Sequence, residues 1–166
     1  MGDQTFIEVL TKQDWPSVRL IYEKGIATGL ATFETSSPEW EQWDRTHHEF
    51  SRLIIRKEDQ TLGWAALSPI SSRYVYRGVA EVSIYIDPVY KAQGLGKKLL
   101  SSLIVSSEEN GIWSLQAGIF PENVASQRLH EGLGFRRIGY QEKVAQLYGR
   151  WKDNYRYERR SSTIGQ

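Results

Sequence analysis

The sequence predicts one α/β domain, residues 1–166, with a mixed central β-sheet flanked by helices. Three observations lead there. Period-two and 3.6-residue apolar patterns follow one another as β-α-α-β-β-β-α-β-α-β-β, with no internal repeat, low-complexity segment or interdomain linker. A length of 166 residues suits a single core, and 40% hydrophobic with 25% charged residues is a globular composition. Finally, AEVSIYIDPVYKAQGLG, residues 80–96, joins a strand to a helix through a glycine-bearing loop, a junction that can hold phosphate.

Each element has its own signal. Residues 6–10 alternate apolar and polar as a short strand. Thr11 to Asp14 has the form of a capping box; behind it Trp15, Val18, Ile21, Tyr22 and Ile26 make a helical stripe that ends between Gly25 and Gly29. A polar loop at 31–37 carries Phe33 and Glu34. Pro38 then opens a second helix through Trp40, Trp43, His47 and Phe50. Residues 53–56 and 61–67 read as strands around a tight turn at Glu58-Asp59-Gln60. After a turn-rich connection at 68–74 comes a central strand, with Val82, Ile84 and Ile86 on one face and Glu81, Ser83 and Tyr85 on the other.

The helix at 97–110 buries Leu95, Leu99 and Leu103 with Leu100 and Ile104, and closes on Asn110-Gly111. Trp113, Leu115, Ala117 and Ile119 form a strand ending at Phe120-Pro121. Asn123 caps a helix, VASQRLHEGL, with Leu129 and Leu133 inward and Gly134 as its stop. Closing strands are expected at 135–140 and 154–160. The basic run 150–160 is broken by Asp153 and Glu158 and alternates with Tyr155 and Tyr157, the pattern of an edge strand rather than a nucleic-acid patch.

Several functions are disfavoured by composition. Twenty-one basic and twenty acidic residues leave a net charge of +1, which offers no field for nucleic acid or an anionic membrane. With no cysteine there is no disulfide framework, thiolate metal site or cysteine nucleophile. His47-His48-Glu49 lacks the second histidine of HExxH, and three histidines in all build no metal site at a familiar spacing. No signal-peptide pattern and no apolar run near about 18 residues occur, so a cytoplasmic location is the expectation. Aromatic residues make up 12%, six of them Trp; they pack a core or line a site, and composition leaves both open.

The loop after the central strand narrows the chemistry. Gly94 and Gly96 remove Cβ atoms that would hold an oxyanion off the backbone, and Lys91, Lys97 and Lys98 add charge nearby. A Walker loop, GxxxxGK(S/T), fails at Lys91 and Lys98, and a dinucleotide fingerprint, GxGxxG, fails at Leu99. Instead KAQGLG after a V-x-I-x-I strand resembles the (Q/R)xxGx(G/A) pyrophosphate loop of the GNAT superfamily of N-acyltransferases, with Lys91 in place of Gln or Arg. Asn123-x-x-Ser126-x-x-x-His130-x-x-x-Gly134-Phe135 matches a second GNAT pattern, and the order of elements is that of the GNAT fold. Segments such as IYEKGIATGLATFE, RYVYRGVAEVSIYID and YGRWKDNYRYERR resemble the phosphinothricin/methionine sulfoximine branch.

That resemblance implies acetyl-CoA as co-substrate, a small-molecule amine acceptor such as a glutamate-like amino acid, and a homodimer. It implies that backbone groups of Ile84, Tyr85 and Ile86 hold the pantetheine arm. Lys91, Ala92, Gln93, Gly94, Leu95, Gly96 and Lys97 would hold the pyrophosphate, and Asn123 and Ser126 the arm near the thiol. Glu81 matches the branch's glutamate and would accept the amine's proton, directly or through a water. A backbone N–H around Tyr85 would hold the oxyanion. His130 stands where many GNATs have a tyrosine that protonates the leaving thiolate; it is either that acid or a structural helix histidine. Arg73, Tyr74, Tyr76 and Arg77 lie where the branch contacts its acceptor, an arginine clamping the α-carboxylate. Phe33 and Glu34 would line the acceptor pocket. Ser71 and Ile70 depart from residues often basic and aromatic in relatives.

Overall fold

A long apolar run, Trp64-Ala65-Ala66-Leu67, is buried on both sides, as a strand covered by helices on each face must be. In the computed structural model, which describes residues 4–166, that strand is β3 (Gln60–Pro69). It lies between β2 (Leu53–Lys57) and β4 (Val79–Ile86) in a sheet ordered β1-β2-β3-β4-β5-β7-β6. β1 (Thr5–Val9) is one edge and β6 (Arg136–Leu147) the other. Neighbouring strands are antiparallel except β4 and β5 (Ser114–Ile119), and β7 (Arg150–Arg160) fills the place between β5 and β6. The element order is the expected one.

Alternation along β3 sorts the core. Trp64 and Ala66 meet Trp15, Val18 and Ile21 of α1 (Trp15–Ala27) and Trp43 of α2 (Trp40–Thr46). Ala65 and Leu67 meet Leu99, Leu100 and Leu103 of α3 (Leu95–Glu109) on the other face, where Leu129 of α4 (Val124–Glu131) also packs. Burying each such leucine contributes roughly 1.5–3 kcal/mol. The capping box forms: the Thr11 amide donates to Asp14 Oδ2 at 2.8 Å. Gly111 (φ 79°) and Gly134 (φ 89°) end α3 and α4 in the left-handed conformation expected of them.

Several boundaries and one strand position differ from expectation. α2 stops at Thr46 instead of running to Phe50. The buried Arg52 guanidinium takes the carbonyls of Asp44, His47 and His48 at 3.0, 3.1 and 2.5 Å and the Asp44 carboxylate at 2.5 Å, so the last turn is capped by a charge from downstream. The first hairpin turns on Glu58 and Asp59, with Gln60 already in β3. The closing strands extend to Leu147 and Arg150 around Tyr148 and Gly149, both at positive φ, as a two-residue hairpin needs. Asp153 supports the bulge between Gln141 and Ala145, its Oδ1 accepting from the Lys143 amide at 2.7 Å. Lastly, β7 is an interior strand, not an edge: its residues pair with β5 on one side and β6 on the other.

Candidate active site

Past Glu81 the two parallel strands part. Their ladder holds from Val79↔Ser114 to Glu81↔Gln116; beyond it β4 pairs only with β3 and β5 only with β7. The β5-facing polar groups of the later half of β4 therefore stand outside any ladder, an edge that an extended, amide-bearing ligand can join. A cavity of about 240 Å3 lies in the gap. Its walls are residues 81–85 of β4, 117–120 at the end of β5, 31–33 of the α1–α2 loop, Asn123, Ser126 and His130 of α4 and its cap, and Asn154 and Arg156 of β7.

At the start of α3 the glycine loop takes the form its residues require. Ala92 (φ 60°) and Gly94 (φ 75°) are left-handed, and a Cβ at 94 would meet only open space; α3 begins here, with the first-turn amides that a helix leaves without an internal partner. A Cβ at Gly96 would come within 3.2 Å of Leu129 Cδ2; its absence lets α3 and α4 close together. Lys91, Gln93 and Lys97 are exposed alongside. Lys98 is not part of this charge: its Nζ donates to the carbonyl and hydroxyl of Thr5 at 2.5 and 2.7 Å.

Glu81, its side chain 44% exposed, accepts from Arg156 Nη2 at 3.0 Å, and the same nitrogen donates to Gln116 Oε1 at 3.1 Å. Tyr85 lines the cavity while its ring stacks on Trp64 at 5.0 Å and meets Tyr22 edge-on at 4.9 Å. Burial, then the Tyr22 hydroxyl, pushes the Tyr85 phenol up; burial and Glu34 push Tyr22 up to about 12, so both stay protonated. His130 is buried, with Nδ1 2.8 Å from the Ser126 carbonyl and 3.3 Å from Ser126 Oγ. A ring nitrogen facing a carbonyl must donate, which leaves Nε2 as the acceptor. Burial also lowers this imidazole from its ordinary value. His130 thus starts neutral, and an acid role requires it to take up a proton first.

Asn123 uses both ends of its amide: Oδ1 caps α4 through the Ser126 amide at 3.2 Å, and Nδ2 donates to the Leu30 carbonyl at 3.2 Å. The second bond ties the α1–α2 loop to α4, where Phe33 meets Phe120 edge-on at 4.8 Å. Glu34 and Ile86 do not form the cavity wall. Nor do Arg73, Tyr74, Tyr76 and Arg77, which make an exposed turn before β4: Arg77 sits 4.2 Å from the Tyr74 ring and 5.2 Å from Trp113, and Arg73 lies 5.6 Å from the Tyr76 ring. Sequence reasoning missed Arg156, Asn154 and Thr32 on the wall and Gln116 beside it. For Asn154 and Arg156 the signal was polar residues two apart in a closing strand, which says nothing about the strand they face.

A model of the acetyltransferase (GNAT) family matches residues 17–135, and phosphinothricin N-acetyltransferase of Alcaligenes faecalis is 32% identical over 160 residues, 92% of this chain and 81% of that protein. The chain belongs to the GNAT family. The L-methionine sulfoximine/L-methionine sulfone acetyltransferase of Salmonella typhimurium is 36% identical over 101 residues, covering 61% of this chain and 59% of that protein. Among solved structures, ribosomal-protein-alanine N-acetyltransferase from Brucella melitensis superposes with a TM-score of 0.87 at 30% identity, over 94% of this chain and 99% of that one. Two further solved structures of this fold hold acetyl-CoA. The present GNAT chain is accordingly an acyl-transferring enzyme with acetyl-CoA as co-substrate. The first-turn amides of α3 and the unladdered β4 edge are of the kind that suits a pyrophosphate and an extended amide-bearing arm.

Proposed function

We propose that this enzyme acetylates the α-amine of a small amino acid or glutamate-like analogue, of the phosphinothricin or methionine sulfoximine type. The observation that carries this is the Glu81–Arg156 pair on the wall of the cleft: a carboxylate and a guanidinium stand side by side where the thioester would lie. Residues 84–86 would hold the pantetheine arm by their backbone, 92–97 the pyrophosphate, and Asn123 with Ser126 the thiol end. Acetyl-CoA supplies an activated acetyl group. Glu81 takes a proton from the acceptor ammonium, directly or through a water, so that the nitrogen lone pair can attack the thioester carbon. A backbone N–H near Tyr85 holds the carbonyl oxygen as it gains charge. The nitrogen, now bonded to the acetyl carbon, sheds its second proton to His130 Nε2, and as the C–S bond breaks His130 passes that proton to the sulfur. With no cysteine present, transfer is direct, without a cysteine acyl-enzyme.

The same proposal has two copies associating in the cytoplasm. The β6–β7 hairpin exposes Ile138, Tyr140, Val144, Tyr148 and Trp151, an apolar set that a second copy can cover. Sedimentation equilibrium should give twice the chain mass, and a monomer at micromolar concentration would remove this part.

The test of the acceptor is thiol release from acetyl-CoA against methionine sulfoximine, phosphinothricin, methionine sulfone, common amino acids, polyamines and short peptides. Turnover confined to the free amino acids and their analogues is the expected result. Turnover on peptides alone would move the acceptor to a polypeptide N-terminus, the activity named for the Brucella neighbour.

A further inference from the structure

Arg156 is the one guanidinium on the cavity wall among the described residues, and the fold makes room for it deliberately. It lies opposite Gly118 in the β5–β7 register, and a Cβ at 118 would fall 2.9 Å from Arg156 Nη1 and 3.0 Å from Asn154 Nδ2. Both side chains therefore cross the sheet over a residue that has no side chain of its own. Nη2 makes the bonds to Glu81 and Gln116, leaving Nη1 and Nε with no bond among the described residues. Arg73 and Arg77, by contrast, rest on exposed aromatic rings.

The pair on the wall has the charges of a zwitterionic amino acid in mirror order. An α-amino acid carries ammonium and carboxylate on one carbon; here a carboxylate and a guanidinium are 3.0 Å apart. We propose that Arg156 anchors the acceptor's α-carboxylate through Nη1, the nitrogen that stands over Gly118, while Glu81 faces its ammonium. Nη1 donates to a carboxylate oxygen in a charge-assisted hydrogen bond, and Nη2 keeps Glu81 in place as the anchor fills. Recognition is then two-point: the acceptor must bear both groups on one carbon, and amines without the acid lose half the site. This rests on the amino-acid reading above and assigns the specificity within it to β7 instead of the turn before β4.

The test compares each amino-acid acceptor with its carboxamide, in the wild-type chain, Arg156→Gln and Arg156→Lys. Losing a charge-assisted pair corresponds to about 10- to 100-fold, so Arg156→Gln should raise the KM for the acid by that factor. Its KM for acetyl-CoA, the check on folding, should stay within about 2-fold, and its kcat/KM on the carboxamide should change far less than on the acid. Arg156→Lys, which keeps the charge but cannot hold Glu81 and the carboxylate from separate nitrogens, should fall between. Equal losses on acid and amide would mean that Arg156 only positions Glu81, and no loss on either would remove it from the site; both overturn the anchor while leaving the amino-acid reading intact. A wild-type chain active on peptides but on no free amino acid overturns the reading and the anchor together.

Discussion

Single side chains decide the chemistry. Glu81→Gln keeps the shape of the wall but cannot take a proton, so kcat should fall by about 100-fold or more with the KM for acetyl-CoA unchanged; equal activity in initial-rate assays would remove Glu81 as the base. Arg52 holds three carbonyls and the Asp44 carboxylate, and its guanidinium lies 5.1 Å from the Trp43 ring. Replacing it with methionine orphans that set and should cost about 3 kcal/mol in urea unfolding. Residue chemistry was partly legible in the sequence. Glu81, Asn123, Ser126 and His130 follow from local patterns and do meet at one cavity. Arg156 and Gln116 become neighbours of Glu81 only through a parallel ladder and an inserted last strand, neither of which local spacing encodes.

Among elements, those with a strong period came out almost residue for residue: the leucine stripe predicts α3, and alternation predicts β4 and β5. Two of the misjudged ends depend on a side chain that lies outside the periodic run it ends or bends. Arg52 stops α2 from beyond its end, and Asp153 holds a bulge in β6 where Gln141-Glu142-Lys143 show no apolar alternation. The loop into α3 offers a test at this scale. Gly94 sits at φ 75°, where a Cβ costs about 1 kcal/mol. Gly94→Ala should therefore raise the KM for acetyl-CoA several-fold with little change in kcat. Leu99→Ala, at the centre of the α3 stripe and fully buried, should cost about 2–5 kcal/mol without altering either KM at temperatures where the fold persists.

For the whole molecule, acid is the revealing variable. All three histidines are held below their ordinary value: burial is the first cause in each, seconded at His48 by the Arg52 charge, and His47 is brought to about 4. In the unfolded chain they take protons near about 6.5, where the folded protein still excludes them. Stability is thus full above about 6.5 and is lost as pH falls toward the folded values, because the unfolded state binds more protons in that window. Thermal melts should show Tm falling from pH 7 to 5, with His47→Gln losing less; a flat profile would contradict this. The parting of β4 from β5 reaches furthest. Amide protons of β4 past Glu81 that point toward β5 should exchange with deuterium like those of a sheet margin in the free enzyme and become protected once acetyl-CoA is bound. The reagent then serves as a removable strand, and at 100 times its Kd it would add about 2.7 kcal/mol to the stability of the protein that consumes it. Catalytic turnover and the mechanical completeness of the sheet are in that case the same event, repeated each cycle.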